Sequence, residues 1–326
     1  MAEAIIKSRV IGVDVSFETT TIAIVDIRGS VIAKTDFPTV DYPNINSFVN
    51  KLCDTIVNLS DANGGYHTIR SVGISVPSGN YRTGCIENSP NMPWKGVIPL
   101  AAMLRDRLGL AVALANDSHA VALGEHSYGS ARGMRNFCVV AIGHGLGNSI
   151  CSNKEFVLGA HGFAGELGHT CAVENGRQCE CGLRGCLETY VAEKGIVRTA
   201  REMMEASDRP TLMRDCTHLT PLVIKEFCDR GDAMSIEVYR YTGQILGKAL
   251  ASYAAVIDPE AIIIAGGISK AGHWLFDPIE ETYNQNVFHN IKGKVKLLLS
   301  SLETRERDAL GASALAWEVE EYSLFK

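Results

Sequence analysis

Proline is sparse, 10 in 326 residues, and no linker is rich in proline or serine, so no segment reads as a low-complexity tract. No stretch approaches the ~18 consecutive apolar residues of a membrane span. The opening MAEAIIKSRVIGVDV lacks the apolar run and small-residue cleavage site of a secretory signal. Positive charge is not in excess either. The net charge of -6 argues against nucleic acid as the main partner, because phosphate binding needs a basic surface. Together these absences predict a cytoplasmic protein with neither membrane nor nucleic acid as partner. What remains is an ordinary globular composition, 46% hydrophobic and 21% charged, which supplies a large core. The length suits two domains at roughly 150 residues each.

The order of patterns predicts α/β architecture. Residues 9–38 alternate apolar and polar with many Val, Ile and Thr, and read as a three-strand meander turned at DIRGS. Apolar positions Ile45, Phe48, Val49, Leu52, Ile56 and Leu59 recur at helical spacing over 44–60. IRSVGISVP reads as a buried strand, 97–109 as a helix closed by Gly109, LAVALAND as a strand, and SHAVALGEHSYG as a helix. Residues 136–159 then repeat the strand–turn–strand–turn–strand shape of the start, which suggests two related halves. Residues 188–206 and 221–257 read as helices, DPEAIIIAGGIS as a buried strand ending in a double glycine, and ALGASALAWEVEEYS as a last helix.

Ten cysteines in a chain with no export signal point to metal rather than disulfides. Six of them (Cys53, Cys85, Cys138, Cys151, Cys216, Cys228) are scattered and read as small core residues. CECGLRGC is different. His169, Cys179, Cys181 and Cys186 make a Cys3His set, the soft donor set that suits a structural, four-coordinate zinc. Gly182 and Gly185 let one short loop wrap an ion. Cys171 and His161 lie near enough in sequence to compete for the fourth position, and a redox-active thiol cluster or inert thiols are the other readings. A histidine that binds metal through one ring nitrogen presents the other to a partner, here a substrate hydroxyl beside Glu166 and Glu188.

The run GAHGFAGELGHTCAVENGRQCECGLRGCLE, 159–188, resembles the ROK family (repressors, open reading frames and kinases), whose G-E-x-G-H motif precedes a C-x-C-G-x-x-G-C zinc motif and a trailing Glu. NSPNMPW, NDSHAVALGE, GHGLG and AGGIS extend the resemblance from residue 12 to about 315. It implies a two-domain, actin-like (ribonuclease H-like) sugar kinase fold with an inter-domain cleft. The domains expected are 1–118 with a C-terminal helix 306–326, and 119–305 with the zinc loop. It implies Asp117 as general base, where an isolated Asp at that place would read as a helix cap. Asn91, Asn116, Glu166, His169 and Glu188 would hold the sugar. Nucleotide contacts would come from Gly143, His144, Gly145 and Gly147 in the second phosphate turn, and from Gly266, Gly267 and Gly311 on the adenosine side. Asp14 would act on Mg2+ through water.

The first phosphate turn departs from the family's D-x-G-G-T. DVSFET puts Ser16, Phe17 and Glu18 where two glycines and a threonine are usual, so Thr19 and Thr20 are expected to take over. His144 stands where the family has Thr. These departures bear on ATP affinity and on the choice of phosphoryl donor. The resemblance thus implies an ATP- and Mg2+-dependent kinase of a hexose or N-acetylhexosamine, glucokinase-like, with structural Zn2+, acting as a homodimer or homotetramer. The alternative is a sugar-binding regulatory protein with weak or lost catalysis. Only about eight residues precede the first strand, so a direct DNA-binding role through the family repressors' winged helix is not expected. A zinc redox switch is a third reading.

Overall fold

The computed structural model describes residues 7–89, 92–302 and 304–319. It divides into two compact units, one running to Arg132 and resuming at Ser301, the other spanning Gly133–Ser300. No described helix is long and apolar enough to cross a membrane.

The first unit opens with the expected meander, β1 (Arg9–Val15), β2 (Thr19–Asp26) and β3 (Val31–Pro38). Helix α1 (Ile45–Ala62) follows, started by Asn44, whose Oδ1 accepts the N–H groups of Asn46 and Ser47 at 2.9 and 3.3 Å. After β4 (Ile69–Ser75) comes a small sheet of β5 (Gly79–Asn80), β6 (Cys85–Glu87) and β7 (Val97–Ile98). Helix α2 (Leu100–Leu108) therefore begins later than the expected 97, because Val97 and Ile98 pair with β6, and it ends at left-handed Gly109. Strand β8 (Ala111–Ala115) leads directly into α3 (Asp117–Ser127).

The main sheet runs β3-β2-β1-β4-β8, antiparallel through the meander and parallel from β1 onward. Ile11, Val13 and Val15 pack with Phe48, Leu52, Ile56, Leu100 and Leu104 of α1 and α2. The opposite face takes α9 (Thr304–Glu318), whose Ala309, Leu310 and Ala316 join Val10, Ala23 and Val25. A β-carbon on Gly73 would sit 1.9 Å from Ala312 O, and one on Gly12 would sit 2.2 Å from Ala309 O. The helix backbone thus lies directly on β1 and β4, a contact that only missing side chains permit.

The second unit repeats the scheme. It has β9 (Phe137–Ile142), β10 (Leu146–Ser152) and β11 (Glu155–Phe156), then, beyond its helices, β12 (Ala261–Ala265) and β13 (Lys296–Leu299). The order β11-β10-β9-β12-β13 has the same antiparallel meander and the same two parallel strands. The similarity of halves read from the sequence is therefore real at the level of topology. β12 is buried on both faces, as its unbroken AIIIA demands.

Both long helices expected here are broken. α4 (Glu188–Val191) and α5 (Glu193–Glu205) are separated by extended Ala192. α6 (Pro221–Asp229) and α7 (Ala233–Ile257) are separated where Gly231 takes φ 79° and Asp232 caps α7 through the Ser235 N–H at 3.0 Å. Helix α8 (His273–Asn286), masked in the sequence by Gly272 and Pro278, packs on Gly243 and Gly247 of α7. The β9, β12, α7 and α8 side chains share one core.

The Gly73 contact generates a test. Gly73→Ala should destabilise the protein by about 1–3 kcal/mol, the usual cost of overpacking a tight contact. A lowered denaturant midpoint of unfolding checks this; an unchanged midpoint would mean that α9 yields freely.

Candidate active site and metal centre

In the first unit, β8 ends as α3 begins, and this junction presents Asn116 and Asp117. Asn116 is the N-cap of α3, and its Oδ1 accepts the His119 N–H at 2.8 Å and the Ser118 hydroxyl at 3.2 Å. Asp117 opens the helix and accepts the Ser118 N–H at 2.9 Å. Its residue surface stays open to solvent. Even so, desolvation by surrounding protein pushes the carboxyl pKa up, helped by repulsion from Asp308 and opposed by the Ser118 N–H. His119 is buried and stacks on Tyr81 at 5.3 Å; burial pushes its pKa down to about 4, so it brings no positive charge to this spot.

The β1–β2 turn is closed by Ser16. Its N–H and its hydroxyl both donate to Thr19 O, at 3.0 and 2.9 Å, and Thr19 N–H donates back to Ser16 Oγ at 3.1 Å. None of Ser16, Phe17, Glu18 and Thr19 takes positive φ, so the turn needs no glycine. Thr20 is fully buried, its hydroxyl 2.8 Å from that of Thr39. It points inward because alternation puts it on the same strand face as fully buried Ile22, and it pairs with buried Phe37 of β3. Half-buried Asp14 lies in β1 opposite Ser75. Gly311 is in no turn. It sits buried in the middle of α9, where a β-carbon would meet Ala120 O of α3 at 2.3 Å. Packing of two helices accounts for this glycine. Asn91 lies outside the described residues.

In the second unit, Gly143, His144 and Gly145 form the β9–β10 turn, with Gly143 N–H donating to Gly145 O at 2.9 Å. Gly147 belongs to β10, opposite Ala141. Gly266 is pressed against Ile142, whereas Gly267 is exposed with open space around it. His144 Nδ1 stands 2.7 Å from Glu193 Oε2. Glu188 Oε2 accepts the Leu146 N–H at 2.8 Å. Glu193 was not apparent from sequence, where an acid in a helix's first turn reads as a dipole partner.

The thiol and imidazole groups of His169, Cys179, Cys181 and Cys186 all lie within 4.8 Å of one another. Cys181 and Cys186 sulfurs are 3.7 Å apart, and Cys179 Sγ is 3.8 Å from His169 Nδ1. Sulfurs on a tetrahedron with about 2.3 Å bonds stand about 3.8 Å apart, so the donors fit a zinc-sized ion. Among the described residues, exposed Cys171 and His161 lie outside this group. His169 Nε2, on the other side of the ring, faces Glu166 Oε2 at 3.9 Å.

Arg177, which no sequence motif marks, roots this loop. Its buried guanidinium donates to Thr189 O, Gly195 O and Thr199 Oγ1 at 2.7, 3.1 and 2.9 Å. It also pairs with Glu202 and lies 4.5 Å from the Tyr190 ring centroid. No motif marks it; only burial reveals it.

The family model for the ROK family matches residues 10–319. A glucokinase of Thermotoga maritima is 29% identical over 316 residues, 96% of this chain and 98% of that one. The transcriptional regulator NagC of Escherichia coli is 30% identical over 220 residues, covering 66% of this chain and 52% of the regulator. Among solved structures, a ROK family glucokinase from Streptomyces griseus, in complex with glucose and AMPPNP, superposes with a TM-score of 0.77 at 25% identity, covering 95% of this chain and all of that one. With the family pattern running almost end to end, the two matched sheets and the Cys3His loop have one common explanation: the chain belongs to the ROK family.

Proposed function

We propose that the protein is an ATP-dependent kinase that phosphorylates a primary hydroxyl of a hexose or N-acetylhexosamine, with Asp117 as general base. The observation that carries this is Asp117 itself, a carboxyl at a strand–helix junction whose pKa desolvation pushes up from the ordinary carboxylate value. The carboxylate takes the proton of the sugar hydroxyl. The hydroxyl oxygen forms a bond to the γ-phosphorus, the bond from phosphorus to the β–γ bridging oxygen breaks, and ADP leaves with that electron pair. Asn116 orients the sugar beside the base. Glu166, His169 and Glu188 pair further hydroxyls, because a polyol binds well only when each is matched to a donor or acceptor.

The turn Gly143–His144–Gly145 and open Gly267 suit approach by phosphate and nucleotide. Mg2+ would supply charge neutralisation on the phosphates, and Asp14 is placed at the end of β1 to hold its water shell. Zn2+ would fill the tetrahedron of His169, Cys179, Cys181 and Cys186 as a closed structural site, keeping the His169 ring turned toward Glu166. The reading carries with it a cytoplasmic enzyme and a homodimer or homotetramer, as the family resemblance implies. The second reading is a sugar sensor without turnover. It is favoured by the Ser16-closed turn, with Phe17 and Glu18 exposed at its tip, and by the likeness to NagC. Sugar-dependent ADP release by the purified protein, across a panel of hexoses and N-acetylhexosamines, separates the two; sugar binding without turnover would favour the sensor.

Asp117→Asn should lower kcat about 10²–10⁴-fold with sugar binding retained, the range for loss of a general base. In the wild type, activity should fall as pH drops through the raised Asp117 pKa, since only the carboxylate accepts a proton, and the variant's residual rate should lose that limb. Stability has the opposite sign. A carboxyl whose folded pKa is raised costs stability once ionised, so Asp117→Asn should melt at or above the wild-type temperature at neutral pH. That advantage should fade as pH falls toward the unfolded carboxyl pKa. A variant that melts lower at neutral pH would contradict the raised pKa.

Cys181→Ala should release zinc, read by metal analysis, and raise the sugar KM. Metal loss with normal sugar affinity would leave the loop as a stabiliser only.

A further inference from the structure

Glu188 belongs by sequence to the sugar side of the site, yet one of its oxygens is already committed elsewhere. Oε2 accepts the Leu146 N–H at 2.8 Å, directly after the phosphate turn. The same oxygen would stand 2.7 Å from a β-carbon on Gly145, so the turn has room for this carboxylate only because residue 145 has no side chain. The other arm of the turn is held from the same segment: Glu193 N–H donates to Gly143 O at 3.0 Å, and the Glu193 carboxylate meets His144. The segment is in turn rooted in the cysteine loop. Thr189 N–H and hydroxyl both donate to Cys186 O, at 3.0 and 2.7 Å, and Leu187 N–H donates to Thr170 O at 2.9 Å.

We propose that Glu188 is a positioning residue for the phosphate turn, fixing the Gly143–Leu146 backbone for the nucleotide with one oxygen while the other remains for the sugar. This deepens the kinase reading and rests on it. A carboxylate is suited to the double task because it has two oxygens and about four acceptor sites on one rigid plane. An ionised acceptor also makes the stronger kind of hydrogen bond to a backbone N–H. The consequence is that nucleotide affinity depends on Glu188 even when no sugar is present.

The test uses the full chain with AMPPNP and Mg2+ and without sugar, by calorimetry, and follows hydrogen exchange of the Leu146 amide. Glu188→Ala should speed that exchange and weaken AMPPNP binding about tenfold, the scale of one hydrogen bond to a charged group. Glu188→Gln keeps an acceptor oxygen at the same reach and should restore both to within about twofold, although its sugar KM need not recover. A residue that served sugar alone would move the sugar KM and neither of these readouts. Unchanged AMPPNP affinity or unchanged Leu146 exchange in Glu188→Ala overturns the proposal, as does a Gln variant that behaves like Ala. Should the wild type bind no AMPPNP at all, the kinase reading fails separately, and Leu146 exchange alone still decides whether Glu188 holds the turn.

Discussion

A guanidinium taken out of water must be paired, and Arg177 is taken out of water almost completely. Its partners are carbonyls and hydroxyls of α4 and α5 together with Glu202, and its own backbone carbonyl accepts the Gly185 N–H at 2.8 Å. The cysteine loop and the two short helices are therefore not independent. The donors of the metal cluster can stay within reach of one another because the loop that carries them is tied to a folded support. Glu188 and Glu193 leave that support in the direction of the β9–β10 turn. One buried cation thus links the thiol cluster, Glu188 and Glu193, and the β9–β10 turn of the second unit.

The first unit solves a different problem by absence of side chains. Gly12 and Gly73 let the backbone of α9 rest on the central strands, and Gly311 lets α3 approach α9. This close packing holds the start of α3, where Asn116 caps the helix and the Asp117 carboxyl loses hydration to the surrounding protein. The fold thus sets the protonation behaviour of the acid through its surroundings, with Asp308 of α9 adding repulsion.

Much of the architecture was legible because its signals are local. Period-two alternation marks β1 to β3, an unbroken apolar run marks β12, and Asn44 followed by helical spacing marks α1. The breaks at Ala192 and Gly231 were missed because apolar periodicity continues across them. Helix α8 is hard to read from the chain because Gly272 and Pro278 interrupt its pattern, although Leu275, Ile279 and Tyr283 form its buried stripe.

The residues of the cysteine cluster could be named from residue type and short spacing, whereas the Asn116–Asp117 pair stood out only through the family resemblance, because an isolated Asp there reads as a helix cap. The choice of His169 over Cys171 and His161, the burial of Thr20 behind Thr39, and the place of Gly311 inside a helix were decided by packing. So was the bond between Leu146 and Glu188, 42 residues apart. Residue type and spacing constrain a donor set within one loop. They say nothing about which oxygen meets which amide across such a separation, because that distance is set by how the strands and helices between them pack.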